Sequence, residues 1–155
     1  MPLEIERKFL VDKTKWTAPA EGTTVRQGYL PGEGSPLLVR IRRQNEKAFL
    51  TLKGRNNGIT RAEYEYEIPA AEADELLTLC KRPLIEKTRY LIPFDGHTWE
   101  VDVFAGENEG LILAEIELQD ENESFVNPDW LGQEVSADPR YYNSNLAENP
   151  YADWR

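Results

Sequence analysis

The stretch Glu4-Ile5-Glu6-Arg7-Lys8-Phe9-Leu10-Val11 constrains this chain more than any other. In a strand, successive side chains leave by opposite faces, so Glu4, Glu6 and Lys8 share one face and Ile5, Phe9 and Val11 the other. For one strand alone, a solvated charged face is the simplest explanation. The alternation recurs, however. Arg40 and Arg42 flank Ile41, Lys53 follows Thr51, and Glu63, Glu65 and Glu67 alternate with Tyr64 and Tyr66. Lys87 and Arg89 share a strand-like run, as do Glu100 and Asp102, and then Glu115 and Glu117.

An ordinary antiparallel sheet turns its apolar face to the core and its charges to water. Two features argue against that arrangement for the whole set. The charges come in blocks of one sign, and acidic strands interleave with basic ones, as opposing walls of one cavity would. A closed barrel with a charged lumen and an apolar outside covered by helices satisfies both faces. Charges enclosed in this way must pair, hold metal or bind ligand, because isolated burial is costly. Rows of Arg and Lys suit a polyanion such as a phosphate chain. Clustered carboxylates suit Mg²⁺ or Mn²⁺, which bridge phosphate oxygens, neutralise charge and activate water.

Composition narrows the class. A chain of 155 residues with 40% apolar and 30% charged side chains can bury a core of its own, and one domain over 1–155 is expected. A net charge of −10 argues against nucleic-acid or anionic-membrane partners. No apolar run reaches membrane-spanning length, and the N-terminus lacks the features of a signal peptide, so a cytoplasmic protein is expected. Lone Cys80 excludes an intramolecular disulfide and a cysteine metal cluster. There is no phosphate-binding GK[ST] loop, and the single histidine, His97, reads as an exposed turn residue, leaving no Ser-His-Asp arrangement.

Strands are predicted over 4–11, 23–30, 37–43, 48–53, 60–68, 85–93, 98–105 and 111–118. Loops are expected at 31–36 and 54–58, and one helical turn near 13–16. Asp95-Gly96 is a strong hairpin turn. Pro69 opens a helix whose apolar face is Ala73, Leu76, Leu77 and Cys80, with Lys81 and Arg82 at its C-terminal end before Pro83. Short helices are expected at 120–125 and from Asp138-Pro139. The aromatic C-terminal residues 149–155 either dock or fray.

These motifs resemble the CYTH superfamily, also called triphosphate tunnel metalloenzymes. Glu4-Ile-Glu-Arg-Lys8 looks like its ExExK signature, and the later pairs follow in the family's order over roughly 3–145. The resemblance implies a mainly β fold, an eight-stranded antiparallel barrel forming a tunnel with a few packed helices. It implies that Lys8, Arg40, Arg42, Lys53, Lys87 and Arg89 are the catalytic, substrate-binding cations. It implies that Glu4, Glu6, Glu63, Glu65, Asp102, Glu115 and Glu117 hold one or two divalent metals, Mg²⁺ or Mn²⁺. One ion is expected at Glu4 or Glu6 with Glu115 and Glu117, a second near Asp102 and the Glu63/Glu65 strand. Glu67 and Glu100 share the alternation without matching the motif, and Arg26 and Arg61 are candidates for the tunnel ends. Similarity to the small bacterial members favours hydrolysis of inorganic triphosphate. A class IV-type adenylate cyclase, a thiamine or nucleoside triphosphatase and a non-catalytic polyphosphate-binding module are the alternatives. Expected partners are a small-molecule triphosphate and at most a second copy of the chain, as a homodimer.

Overall fold

The computed structural model describes residues 2–32 and 36–154. The centre of the expected 31–36 loop lies outside the described residues. Nine antiparallel strands are present among them: β1 (Leu3–Val11), β2 (Thr23–Tyr29), β3 (Leu38–Gln44), β4 (Lys47–Lys53), β5 (Thr60–Ile68), β6 (Ile85–Phe94), β7 (His97–Phe104), β8 (Ile112–Glu117) and β9 (Leu131–Glu134). Eight follow the order β5-β4-β3-β2-β6-β7-β8-β1, and β1 pairs back to β5 through Leu3–Ala62, Glu4–Arg61 and Ile5–Thr60, closing a barrel. Farther along β1, Phe9 and Val11 pair with β9. The Asp95-Gly96 turn forms as expected, both residues at positive φ (49° and 81°), which suits the twist of a two-residue hairpin.

Residues directly opposite on paired strands share a face, so the register decides what meets in the lumen. Lys8 lies opposite Glu115, Glu115 opposite Glu100, Arg89 opposite Asp102, and Lys53 opposite Glu63. Farther along, the inward positions turn apolar. Tyr29, Ile85, Phe104 and Leu113 pack with Val135, Leu146 and Ala147 of the C-terminal segment, which stops that end of the barrel. Trp154 and Tyr151 dock against this cluster, and the Tyr151 amide donates to Asn108 Oδ1 at 2.8 Å.

The outer apolar face is covered mostly by connections and only partly by helices. Phe9, Trp99, Val101, Ala114 and Ile116 lie under Trp16, Leu118, Phe125 and Trp130, with Phe9 and Trp130 meeting Trp99 at ring separations of 5.7 Å. A fully buried aromatic such as Trp99 contributes roughly 4–6 kcal/mol of transfer free energy before entropy is counted. Helix α1 (Ala70–Leu77) places Ala73 and Leu77 on Ile41 and Ala48, with Cys80 just beyond it in the same cluster, while Tyr66 on the outer face of β5 stays exposed.

Three local expectations change. α1 ends at Leu77, because the amides of Thr78, Leu79 and Cys80 bond three residues back and the Lys81 amide turns away to Tyr29. Lys81 and Arg82 therefore lie beyond the helix. Residues 120–125 form no helix: a turn at Glu121-Asn122, in which Asp120 accepts from the Asn122 amide, leads into an irregular stretch. The segment after Asp138 divides into a 3₁₀ turn (Pro139–Tyr141) and α2 (Asn143–Glu148), separated by extended Tyr142. No described helix is long and apolar enough to cross a membrane.

Candidate active site

The inward faces of the strands enclose a cavity of about 240 Å³. Lys8, Arg40, Arg42, Lys53, Lys87 and Arg89 line it, as do Glu4, Glu6, Glu63, Glu65, Glu115 and Glu117. Twelve of the thirteen residues singled out by sequence thus meet in one space, and Asp102 is the exception. Arg61 lines the cavity as well, whereas Arg26 is exposed and on the outer face of β2. Glu67 is exposed and away from the lining.

Cations and carboxylates interlock. Lys53 reaches Glu4 and Glu63, both at 3.3 Å. Glu65 receives Arg40 at 3.5 Å and Arg42 at 3.4 Å, long contacts for charged partners. The Nε atoms of Arg40 and Arg42 are buried without a hydrogen-bond partner among the described residues. Such donors point to a ligand with oxygen acceptors. Lys8 donates to the Tyr141 carbonyl at 3.1 Å and sits 4.0 Å from Glu115.

Lys87 and Arg89 are tied differently. Arg89 donates from Nε and Nη2 to both oxygens of Asp102 (2.8 and 2.9 Å) and from Nη1 to Glu100 (2.9 Å). Lys87 reaches Asp102 at 2.7 Å and donates to Asn143 Oδ1 at 3.0 Å. Asp102 is wholly buried, and burial would raise its pKa, but Lys87 and Arg89 outweigh that and hold it low. Asp102, expected near a second ion with the Glu63/Glu65 strand, lies on β7 with both oxygens engaged by Arg89, and β8 and β1 lie between β7 and β5 around the barrel.

A different trio converges. Carboxylate oxygens of Glu6, Glu100 and Glu115 lie within 4.8 Å of one another, a geometry suited to a hard divalent ion. Their electrostatics agree. Burial and the neighbouring Glu115 and Glu4 push Glu6 well above the usual carboxylate range. Burial raises Glu100 too, only partly offset by Arg89. Glu115 is held far down despite burial, chiefly by Lys8 and a hydrogen bond from Glu6. Burial and mutual repulsion thus leave the trio short of positive charge, which a divalent cation would supply. Sequence alternation marked Glu100 as inward-facing, but its partnership with Glu6 and Glu115 appears only once strand register is known.

Burial and a hydrogen bond to Glu63 likewise raise Glu4 from 4.5 to about 7. A carboxyl raised in the folded state stabilises it at low pH and loses that contribution as pH climbs through the folded value. With divalent ions chelated, the melting temperature is therefore expected to fall as pH rises from 4.5 to about 7. Glu4→Gln is expected to flatten that fall. A melting temperature that climbs across this window would rule out the retained protons.

His97 stands at the β6–β7 turn as expected but is half-buried, its Nε2 2.6 Å from Glu123. Tyr29 lines the cavity, whereas Trp16 packs on Tyr90, and Tyr151 and Trp154 pack on one another. Tyr142, absent from the sequence reading, lies there as well, its ring under Lys8.

Comparison with known proteins agrees with this geometry. The CYTH domain matches residues 2–146. An inorganic triphosphatase of Acetivibrio thermocellus is 54% identical over 156 aligned residues, covering 100% of this chain and 99% of that protein. An inorganic triphosphatase of Nitrosomonas europaea is 40% identical over 148, covering 93% and 96%. A crystal structure of an inorganic triphosphatase superposes with a TM-score of 0.68 at 39% identity, covering 93% of this chain and 97% of that one. By sequence, by closed barrel and by the charged lumen that barrel encloses, the chain belongs to the CYTH domain family.

Proposed function

We propose that this protein hydrolyses inorganic triphosphate to diphosphate and phosphate, with Mg²⁺ or Mn²⁺ held by Glu6, Glu100 and Glu115 and flanked by Glu4 and Glu117. The observation that carries this is the lining of the cavity: a basic wall and a carboxylate cluster in about 240 Å³, below the ~300–1,000 Å³ of pockets that enclose drug-sized ligands. The relatives named inorganic triphosphatase support the same substrate. When bound, the ion would neutralise phosphate charge and lower the pKa of water near the terminal phosphorus.

The chain's own residues supply binding and alignment. Arg40 and Arg42 exchange their long contacts with Glu65 for phosphate oxygens, to which a guanidinium can donate in pairs. Lys8, Lys53, Lys87 and Arg89 face the other oxygens and stabilise charge developing on the diphosphate leaving group. The lumen walls hold the chain in line and limit bulk water. Glu63 serves as partner of Lys53 and Glu4.

The lining cations serve phosphate and the carboxylates serve the ion or those cations, and the two lining tyrosines are engaged with the protein, Tyr29 with Gln27 and Tyr142 with the Ser136 carbonyl. An organic appendage therefore adds bulk without transition-state stabilisation. kcat/KM for inorganic triphosphate is expected to exceed that for ATP and thiamine triphosphate by on the order of tenfold or more under one metal and pH. Preference for a nucleotide, or cyclic AMP among the products, would overturn this reading.

A further inference from the structure

Building on the triphosphate reading above, we infer that Asp102 positions Lys87 and Arg89 against the phosphate chain and is not a ligand of the ion. Asp102 is fully buried and absent from the cavity lining, while both cations it holds are part of that lining. Its Oδ1 accepts from Arg89 Nε, and its Oδ2 meets Arg89 Nη2 and Lys87 Nζ. Turning toward an ion would break the paired guanidinium contact and leave buried Lys87, whose other partner is the neutral Asn143 amide, without a counter-charge, which is the costly state for such a group.

The geometry also explains what the clamp does. Two parallel contacts fix the plane of the Arg89 guanidinium, and Nη1 is directed to Glu100, a member of the carboxylate trio. Lys87 has three N–H groups; Asp102 takes one and Asn143 another, which leaves one for the cavity. Both cations thus reach the lumen with their orientation already set, so less freedom is lost when an anion binds. Asp102 pairs across strands with Leu113, at the border between the charged lumen and its apolar end, whereas Glu100 pairs with Glu115. The trio is assembled without Asp102.

Calorimetry on the full chain separates the two roles by using each probe alone, inorganic triphosphate without divalent ion and Mn²⁺ without triphosphate. Asp102→Asn is expected to weaken triphosphate binding by about 10- to 100-fold, as removal of an orienting group does, and to change Mn²⁺ binding by less than about twofold. A general packing defect would weaken both. Mn²⁺ affinity falling tenfold, or turnover restored by excess Mn²⁺, would overturn the inference.

The single variant leaves buried charge unmatched and is at risk of not folding. Lys87→Gln/Asp102→Asn, compared with Lys87→Gln, provides the second arm: triphosphate affinity is expected to drop less for Asp102→Asn in the Lys87→Gln background than in the native one. Full additivity would overturn the inference. A crystal structure of the unaltered chain soaked in Mn²⁺ adds a third arm, with the ion located by anomalous scattering. An Asp102 oxygen in its coordination sphere would overturn the inference, and an ion held by the trio without Asp102 would support it. If the native chain binds no Mn²⁺, the metal part of the proposed function fails, while the role of Asp102 is still decided by triphosphate affinity.

Discussion

Glu115→Gln is expected to lower turnover of inorganic triphosphate by on the order of 10³-fold, the several kcal/mol that a correctly held divalent ion supplies to a phosphoryl transition state. Gln keeps the volume of a side chain that is only 5% exposed but removes the charge a hard cation requires. The fold is expected to tolerate the change. Glu6 is raised partly by the Glu115 charge, so in the variant it ionises more readily and replaces that charge beside Lys8. In the native chain Mn²⁺ is expected to raise the melting temperature by mass action, and in Glu115→Gln it is expected to do so weakly or not at all. Glu67→Gln is the matched control, a carboxylate on a charged strand but away from the cavity, and is expected to retain activity. Equal turnover in native and Glu115→Gln proteins, both folded, would exclude the carboxylate trio as the metal site.

Much of the lumen was legible because strand parity is a local property. Glu4, Glu6 and Lys8 must share a face wherever β1 ends up, and the same holds for Arg40 with Arg42 and Lys87 with Arg89. Depth along the barrel is not local. Glu100 and Asp102 have the same parity, yet β7–β8 register sets Glu100 beside Glu115 and Asp102 beside Leu113. That shift of one inward position separates a candidate metal ligand from an arginine clamp, and nothing within the segment Thr98-Trp-Glu-Val-Asp-Val103 encodes it. β9 escaped for another reason: Leu131-Gly-Gln-Glu134 has no apolar alternation, and its pairing is supplied by the edge of β1. Gly132 is needed there, since a Cβ would lie 2.9 Å from the Leu10 carbonyl oxygen. The closed end of the lumen was hidden too. Leu146, Ala147 and Val135 look like ordinary core residues, and only the tertiary fold brings them under Tyr29 and Phe104.

Arg42→Ala should separate catalysis from stability more sharply than any other change to the basic wall. Burial and the adjacent Arg40 lower the Arg42 pKa to about 10, so its charge is carried at neutral pH against an unfavourable environment. Its 3.4 Å contact with Glu65 is long, and Arg40 competes for the same carboxylate at 3.5 Å. Removing the guanidinium relieves repulsion and lets Arg40 take Glu65 alone, so the melting temperature is expected to stay level or rise. The loss falls on the ligand. A charge-assisted hydrogen bond to phosphate is worth about 1.5–3 kcal/mol, which converts to roughly 10- to 100-fold in kcat/KM. Lys8→Ala is expected to lose a similar factor in activity but also some stability, because Lys8 ties Glu115 and the Tyr141 carbonyl together. Arg42→Lys should recover charge but only part of the activity, since an ammonium cannot replace a planar pair of donors. The measurement is kcat/KM for triphosphate beside a thermal melt for each variant. A folded Arg42→Ala with native kcat/KM would remove Arg42 from the site, and a large drop in melting temperature would show that its charge serves the fold.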